Sequence, residues 1–159
     1  MIYEGTNGIQ ALDLVGRKLG SKGGRGTQAW LGLVAGDIAA AKDERLAFIT
    51  QPLAKALGDV QAGVMWLLQN GMANPDNAGA GATAFMRMMG HVALGHMWLK
   101  MAAASLAALD AGTADPDFHN AKLTTARFFA ARVLPETASL KAQLEAGADT
   151  VMALPAEMF

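Results

Sequence analysis

The sequence predicts an all-α protein, an up-and-down helical bundle preceded by a tethered amphipathic helix. Three observations carry this reading. Apolar residues recur at three-to-four spacing along most of the chain, the period of a helix that buries one face. Hydrophobic residues make up 52% of the 159 and aromatic ones only 6%, so the core is expected to form from close helix contacts rather than large rings. The connections between periodic stretches are short, which favours antiparallel neighbours.

Near the N-terminus Ile9, Leu12, Val15 or Gly16, and Leu19 recur at helical spacing, with Thr6 or Asn7 placed to cap the first turn. Glu4 therefore stands just before a helix N-terminus. "GSKGGRGTQ" comes next, with residues 21–27 read as a Gly-rich linker. It is not a phosphate-binding loop, because G-x-x-x-x-G-K-[ST] is absent and no β-branched strand precedes it. Leu31, Val34 and Ile38 mark the next helix, and residues 28–159 form the bundle. Leu46, Ile49, Leu53, Leu57, Val60, Val64 and Leu67 give the clearest periodicity in the chain. Pro52 leaves two readings: a helix capped by Thr50 with Pro52 in its first turn, or a longer helix that bends there.

"NGMANPDNAGAG" is a turn-rich connection, with Asn70-Gly71 ending one helix and Asp76 or Asn77 starting the next. A long helix over residues 79–110 is apolar on more than one face and is expected to be the most central. Gly112 stops it, and Asp115-Pro116 supplies the N-cap and first residue of the last long helix. That helix, residues 116–146, is expected to turn Phe118, Phe128, Phe129, Val133, Leu140 and Leu144 inward and to kink at Pro135.

A net charge of −1 offers no basic footprint for nucleic acid or an anionic membrane. With no cysteine, disulfides, a thiolate nucleophile and zinc–thiolate sites are excluded, and a cytoplasmic location is expected. Glu4 and glycines stand where the apolar run of a leader would lie, so none is expected. The run "ATAFMRMMGHVALGHMWLKMAAASLAAL" is interrupted by Arg87, His91, His96 and Lys100, which argues for a buried helix and against a membrane span.

Few residues outside the opening stretch point to chemistry. A metal-binding bundle would carry Glu-x-x-His on facing helices, and none occurs. His91 and His96 stand five apart, on different sides of a helix, and each is expected to hydrogen-bond a neighbouring helix. Met86, Met88, Met89, Met97 and Met101 are read as adaptable core filling between Gly90 and Gly95, where helices can approach closely. No serine sits on a sharp turn suited to a nucleophile. Lys42, Asp43, Glu44 and Arg45 are read as a solvated helix start or end.

The opening "YEGTNGIQALDLVGRKL" is different. It resembles the segment that carries the catalytic base in acyl-CoA dehydrogenases, with Tyr3-Glu4-Gly5-Thr6, Ile9-Gln10 and Arg17 at that family's spacing. From Thr27 onward the chain is similar to the extra helical domain of the long bacterial branch of that family, which includes enzymes of methylthiopropanoyl-CoA. "RFFAARVLPE" is the best single phrase of that part.

The resemblance implies that residues 1–20 end a catalytic domain. Glu4 would be the general base that removes the α-proton of an acyl-CoA thioester while hydride leaves the β-carbon for FAD, giving the 2-enoyl-CoA. Gly5 would border the substrate, and Thr6, Asn7 and Gly8 would face FAD at the helix N-terminus. Gly8 departs from the glutamine that many family members carry there. Electron-transfer flavoprotein or another acceptor, and a homo-oligomeric assembly, are implied as partners. Helices alone do not enclose both FAD and CoA, so the chain is expected to be a C-terminal fragment, inactive alone, whose first helix is mobile or covered by a neighbouring copy. The competing reading is a free-standing helical interaction or oligomerisation module.

Overall fold

The computed structural model describes residues 5–158, and no β-strand occurs among them. The Glu4 assignment lies outside the described residues.

Helix α1, Gly5–Asp13, runs into a wider π-type turn, Leu14–Lys18, where the Leu19 amide reaches the Leu14 carbonyl at 2.8 Å. Asp13 steadies this junction by holding Arg17 at 2.6 Å and Lys18 at 3.2 Å. Arg17 first, then Lys18, draws the Asp13 carboxyl down to about 2.

The segment read as a linker is a left-handed turn here. Lys22, Gly23 and Gly24 have φ of 52, 68 and 74°, a conformation that glycine adopts without steric penalty. The turn is tied back where the Thr27 hydroxyl donates to the Leu19 carbonyl at 3.3 Å. Helix α2, Arg25–Ala40, therefore starts inside residues 21–27.

Helix α3, Ala47–Trp66, is entered through a 3-10 turn, Glu44–Leu46, capped by Asp43, whose carboxylate accepts from the Arg45 amide at 2.9 Å. The charged run is thus a helix start, which decides between the start and the end that its composition left open. Pro52 lies inside α3, which selects the longer of the two helices. A π-type turn, Leu67–Gly71, ends it.

Helix α4, Pro75–Asp110, starts earlier than expected because Asn74, rather than Asp76 or Asn77, is its cap, accepting from the Asp76 amide at 3.1 Å. Asn77 instead reaches across the bundle, accepting from the Ala148 amide at 2.9 Å. Gly112 at φ 72° follows the end of α4, and Asp115 caps helix α5, Pro116–Arg132, by accepting from the Phe118 amide at 3.1 Å.

Pro135 breaks the last helix rather than kinking it: α6 is a separate helix, Glu136–Glu145. The Val133 and Leu134 amides both turn to the Phe129 carbonyl, at 2.9 and 3.1 Å. A proline also disfavours helical backbone at the residue before it.

Helix α4 is central, as predicted, packing against α3, α5, α6 and α1. By length and composition it is apolar enough to cross a bilayer. In this fold its inner face instead forms the core around Phe85, Met88 and Val92, which meets Ile49 and Leu53 of α3 and Leu144 of α6. Gly81 and Gly95 permit close approach, since a Cβ would stand 2.2 Å from Leu144 Cδ1 at Gly81, and 2.9 Å from Leu134 Cδ2 and 3.0 Å from Leu53 Cδ1 at Gly95.

Several inward expectations are corrected. Phe118 and Phe128 are 52% and 62% exposed. The buried stripe of α5 is Ala126 and Ala130, and Phe128, two residues from Ala126, lies on the other side of the helix. Gly90 faces open space, and Met97 is exposed, whereas Met88 is fully buried. The first helix also has a packing surface within this chain: α1 lies against α4, burying Ala11, with Leu12 beside Gly79.

Candidate functional site

The first turn of α1 is the place to which the opening motif points. Gly5, Thr6, Asn7 and Gly8 are all exposed, and a Cβ built on Gly5 or Gly8 would meet nothing within 4 Å. The first amides of a helix have no partner within the helix, and the positive end of its dipole lies there. The structure thus brings the predicted substrate-bordering Gly5 and the cofactor-facing Thr6, Asn7 and Gly8 into one open helical turn, anchored below by Ala11. That turn could accept a large, electron-rich partner along its edge.

Farther along α1 a cavity of about 420 Å³ opens between Leu12, Gly16 and Leu19 on one side and Leu67, Met72 and Ala78 on the other. A second, of about 410 Å³, continues it past Gly23, Thr27 and Leu68. Both linings are dominated by apolar and small residues, so they offer contact area rather than acid–base chemistry.

The histidines hold helices together. His96 is 3% exposed and its Nε2 lies 2.6 Å from Asp37 Oδ2 on α2, while His91 Nε2 lies 3.3 Å from Glu136 on α6. His96 makes the neighbouring-helix hydrogen bond expected from sequence, and His91 meets its neighbouring helix through the Glu136 carboxylate contact. Asp37 also receives Lys100 Nζ at 3.0 Å. Its carboxyl is held below the usual range, chiefly by the His96 hydrogen bond and then by Lys100. Asp37 was not legible as their partner, although His96 and Lys100, four apart on one helix face, signalled a shared acid.

A serine–histidine contact also occurs, with His119 Nδ1 3.3 Å from Ser105 Oγ. Ser105 is 3% exposed, so it is closed to a substrate. Among the described residues, no three His, Asp or Glu side chains gather as a metal site.

An all-α domain that carries an exposed, glycine-bordered first turn on a separate leading helix is the arrangement into which the sequence comparisons now fit. Residues 30–155 match the family described as acetyl-CoA dehydrogenase C-terminal like, and the chain belongs to that family. Among curated proteins it is 35% identical over 156 residues to 3-methylmercaptopropionyl-CoA dehydrogenase of Ruegeria pomeroyi, covering 95% of this chain and 26% of that protein. It is 32% identical over 171 residues to the broad-specificity linear acyl-CoA dehydrogenase FadE5 of Mycobacterium tuberculosis, covering 99% of this chain and 27% of that protein. Against butyryl-CoA dehydrogenase of Syntrophomonas wolfei it is 27% identical over 163 residues, covering 98% and 26%. The chain spans about a quarter of the length of these relatives.

Proposed function

We propose that this chain is the C-terminal part of an FAD-dependent acyl-CoA dehydrogenase and contributes the catalytic base to α,β-dehydrogenation of an acyl-CoA thioester. The observation that carries this reading is the continuity of two similarities. The family match covers residues 30–155, whereas two relatives named as acyl-CoA dehydrogenases align with 98% and 99% of the chain. The likeness therefore extends into the opening segment of the sequence, which carries the Tyr3-Glu4-Gly5-Thr6 motif.

In this reading Glu4 takes the α-proton of the thioester, because only a basic oxygen within contact of that carbon can do so. The Glu4 amide donates to the thioester carbonyl, where negative charge develops as the proton leaves. Gly5, with no side chain to intervene, lets the acyl chain lie close to the backbone. FAD, when bound, accepts the hydride from the β-carbon. The residues present fit one edge of such a group: the open first turn of α1 leaves space beside Gly5 and Gly8, and its amides suit an electron-rich partner. The remaining walls belong to polypeptide outside this chain, so the isolated chain is expected to be inactive.

A chimera tests this. The corresponding quarter of the Ruegeria pomeroyi relative is replaced by this chain, and the purified protein is examined for bound flavin and for bleaching on addition of 3-methylmercaptopropionyl-CoA. A yellow chimera that bleaches is expected, and Glu4→Gln should keep the flavin while slowing the reaction by about 10²–10⁴-fold. Turnover by Glu4→Gln at the parent rate would overturn the assignment of the base.

A further inference from the structure

Ala11 and Leu19 both turn into the protein, at 0% and 6% exposure, while Arg17 and Lys18 between them lie outside. One straight α-helix does not bury both. At about 100° per residue, position 18 would fall about 20° from Ala11 and position 19 about 80° from it, so Lys18 would take the inward place. The π-type turn Leu14–Lys18 resolves the conflict. It holds one residue more than an α-turn, closed where the Leu19 amide donates to the Leu14 carbonyl at 2.8 Å, and so brings Leu19 to the face that Ala11 occupies. Leu19 is the firmer of these two anchors. It belongs to the core cluster, and its carbonyl accepts from the Thr27 hydroxyl at 3.3 Å. Straightening the turn would therefore rotate Ala11, and the Gly5–Gly8 turn beyond it, by about 100° around the helix axis.

Asp13 selects the wider turn. Its Oδ1 accepts from Arg17 Nε at 2.6 Å and its Oδ2 from Arg17 Nη2 at 3.0 Å, with Lys18 Nζ 3.2 Å from the same Oδ2. In a straight α-helix the fourth residue along lies beside the first, but the fifth stands about 140° around the axis. A carboxylate that holds both is therefore a contact of the widened turn. Exposed ion pairs add little to overall stability, so what this one decides is the local path of the chain. We propose that Asp13 is a positioning residue: by gripping Arg17 and Lys18 across the π-type turn, it sets the rotation at which α1 presents Gly5–Gly8, and with them Glu4, to the thioester and FAD. This rests on the function given above, since it takes Glu4 to be the base.

Two experiments test this, one on structure and one on rate. The chain has no cysteine, so a single thiol placed in the 159-residue protein can be followed with dithiobis(nitrobenzoate). Ala11→Cys should label slowly, and about tenfold faster once Asp13→Ala is added. Leu19→Cys should stay slow in both backgrounds. Unchanged labelling at both positions, release of Leu19→Cys alone, or release of both together would each overturn the proposal, because none of them is a rotation of α1 about a fixed Leu19. In the chimera, Asp13→Ala should keep the flavin and slow bleaching by about 10–10²-fold. In the Glu4→Gln background it should add nothing, because it acts through that carboxylate. Bleaching at the parent rate, or an equal further loss beside Glu4→Gln, would also overturn it. Parent-rate bleaching by Glu4→Gln alone strikes the assignment of the base and with it the catalytic half of this proposal, whereas the labelling result bears on Asp13 alone.

Discussion

His96 Nε2 on α4 lies 2.6 Å from Asp37 Oδ2 on α2, and Lys100 Nζ shares the same oxygen at 3.0 Å. One carboxylate thereby fastens α2 to two positions a single helical turn apart on α4. The His96 hydrogen bond, and secondarily Lys100, holds the Asp37 carboxyl below the usual range. A carboxyl whose pKa is depressed by folding contributes stability above its unfolded pKa of about 3.9, and that contribution fades as pH falls through the lower folded value. Asp37→Asn is therefore expected to lower Tm at neutral pH, with the difference from the parent closing below about pH 4. Thermal melts across the acid range check this; a gap that stays constant into strong acid would show that charge is not the cause.

Thr137, 1% exposed, offers one hydroxyl proton to two acceptors, Asp59 Oδ2 at 2.8 Å and the Leu134 carbonyl at 2.9 Å. It pins the first turn of α6 to α3 beside the break at Pro135. Thr137→Val keeps the shape and removes the donor, and should cost about 1–3 kcal/mol in urea unfolding. Combined with Asp59→Ala, the loss should be smaller than the sum of the two single changes, because the residues share one interaction.

Two glycines in helices should respond in opposite directions. Gly95 faces Leu134 and Leu53 at distances that leave no room for a side chain, so Gly95→Val should destabilise by about 1–3 kcal/mol through overpacking. Gly36 lies in α2 with open space around it, and Gly36→Ala should stabilise by about 0.5–1 kcal/mol. Paired denaturation curves decide the matter; a loss of stability at Gly36 would mean that its surroundings are more crowded than the structure has them.

The α4–α5 turn depends on Asp115, whose carboxylate accepts from the Phe118 amide at 3.1 Å while the Asp115 amide donates to Thr113 Oγ1 at 3.2 Å. Asp115→Ala should cost about 1 kcal/mol, and Asp115→Ser should recover most of it. Equal losses for Ala and Ser would rule out capping as the source.

Much of this fold is legible in the chain. The 3–4 spacing of Leu53, Leu57, Val60 and Val64 announces α3, the caps at Asp115-Pro116 place α5, and the apolar character of residues 79–110 makes α4 central. The errors have a common origin. Phe118 and Phe128 were assigned inward on hydrophobicity, but the residues α5 buries are Ala126 and Ala130, and a small residue allows closer helix packing than a ring. The site is legible as a motif rather than a geometry: "EGTNG" points to the first turn of α1, and the open space beside Gly5 and Gly8 appears only once the helix is laid on α4.

Local chemistry is encoded along the chain itself: helical period, caps, stops at glycine and proline, and the absence of cysteine follow from neighbouring residues and need no fold. Packing settled the rest. Whether Pro52 begins α3 or lies within it, which acid His96 meets, and which methionines of α4 reach the core depend on side chains far apart in sequence. Those contacts arise when whole helices find a common close-packed arrangement, and no stretch of residues carries that information alone.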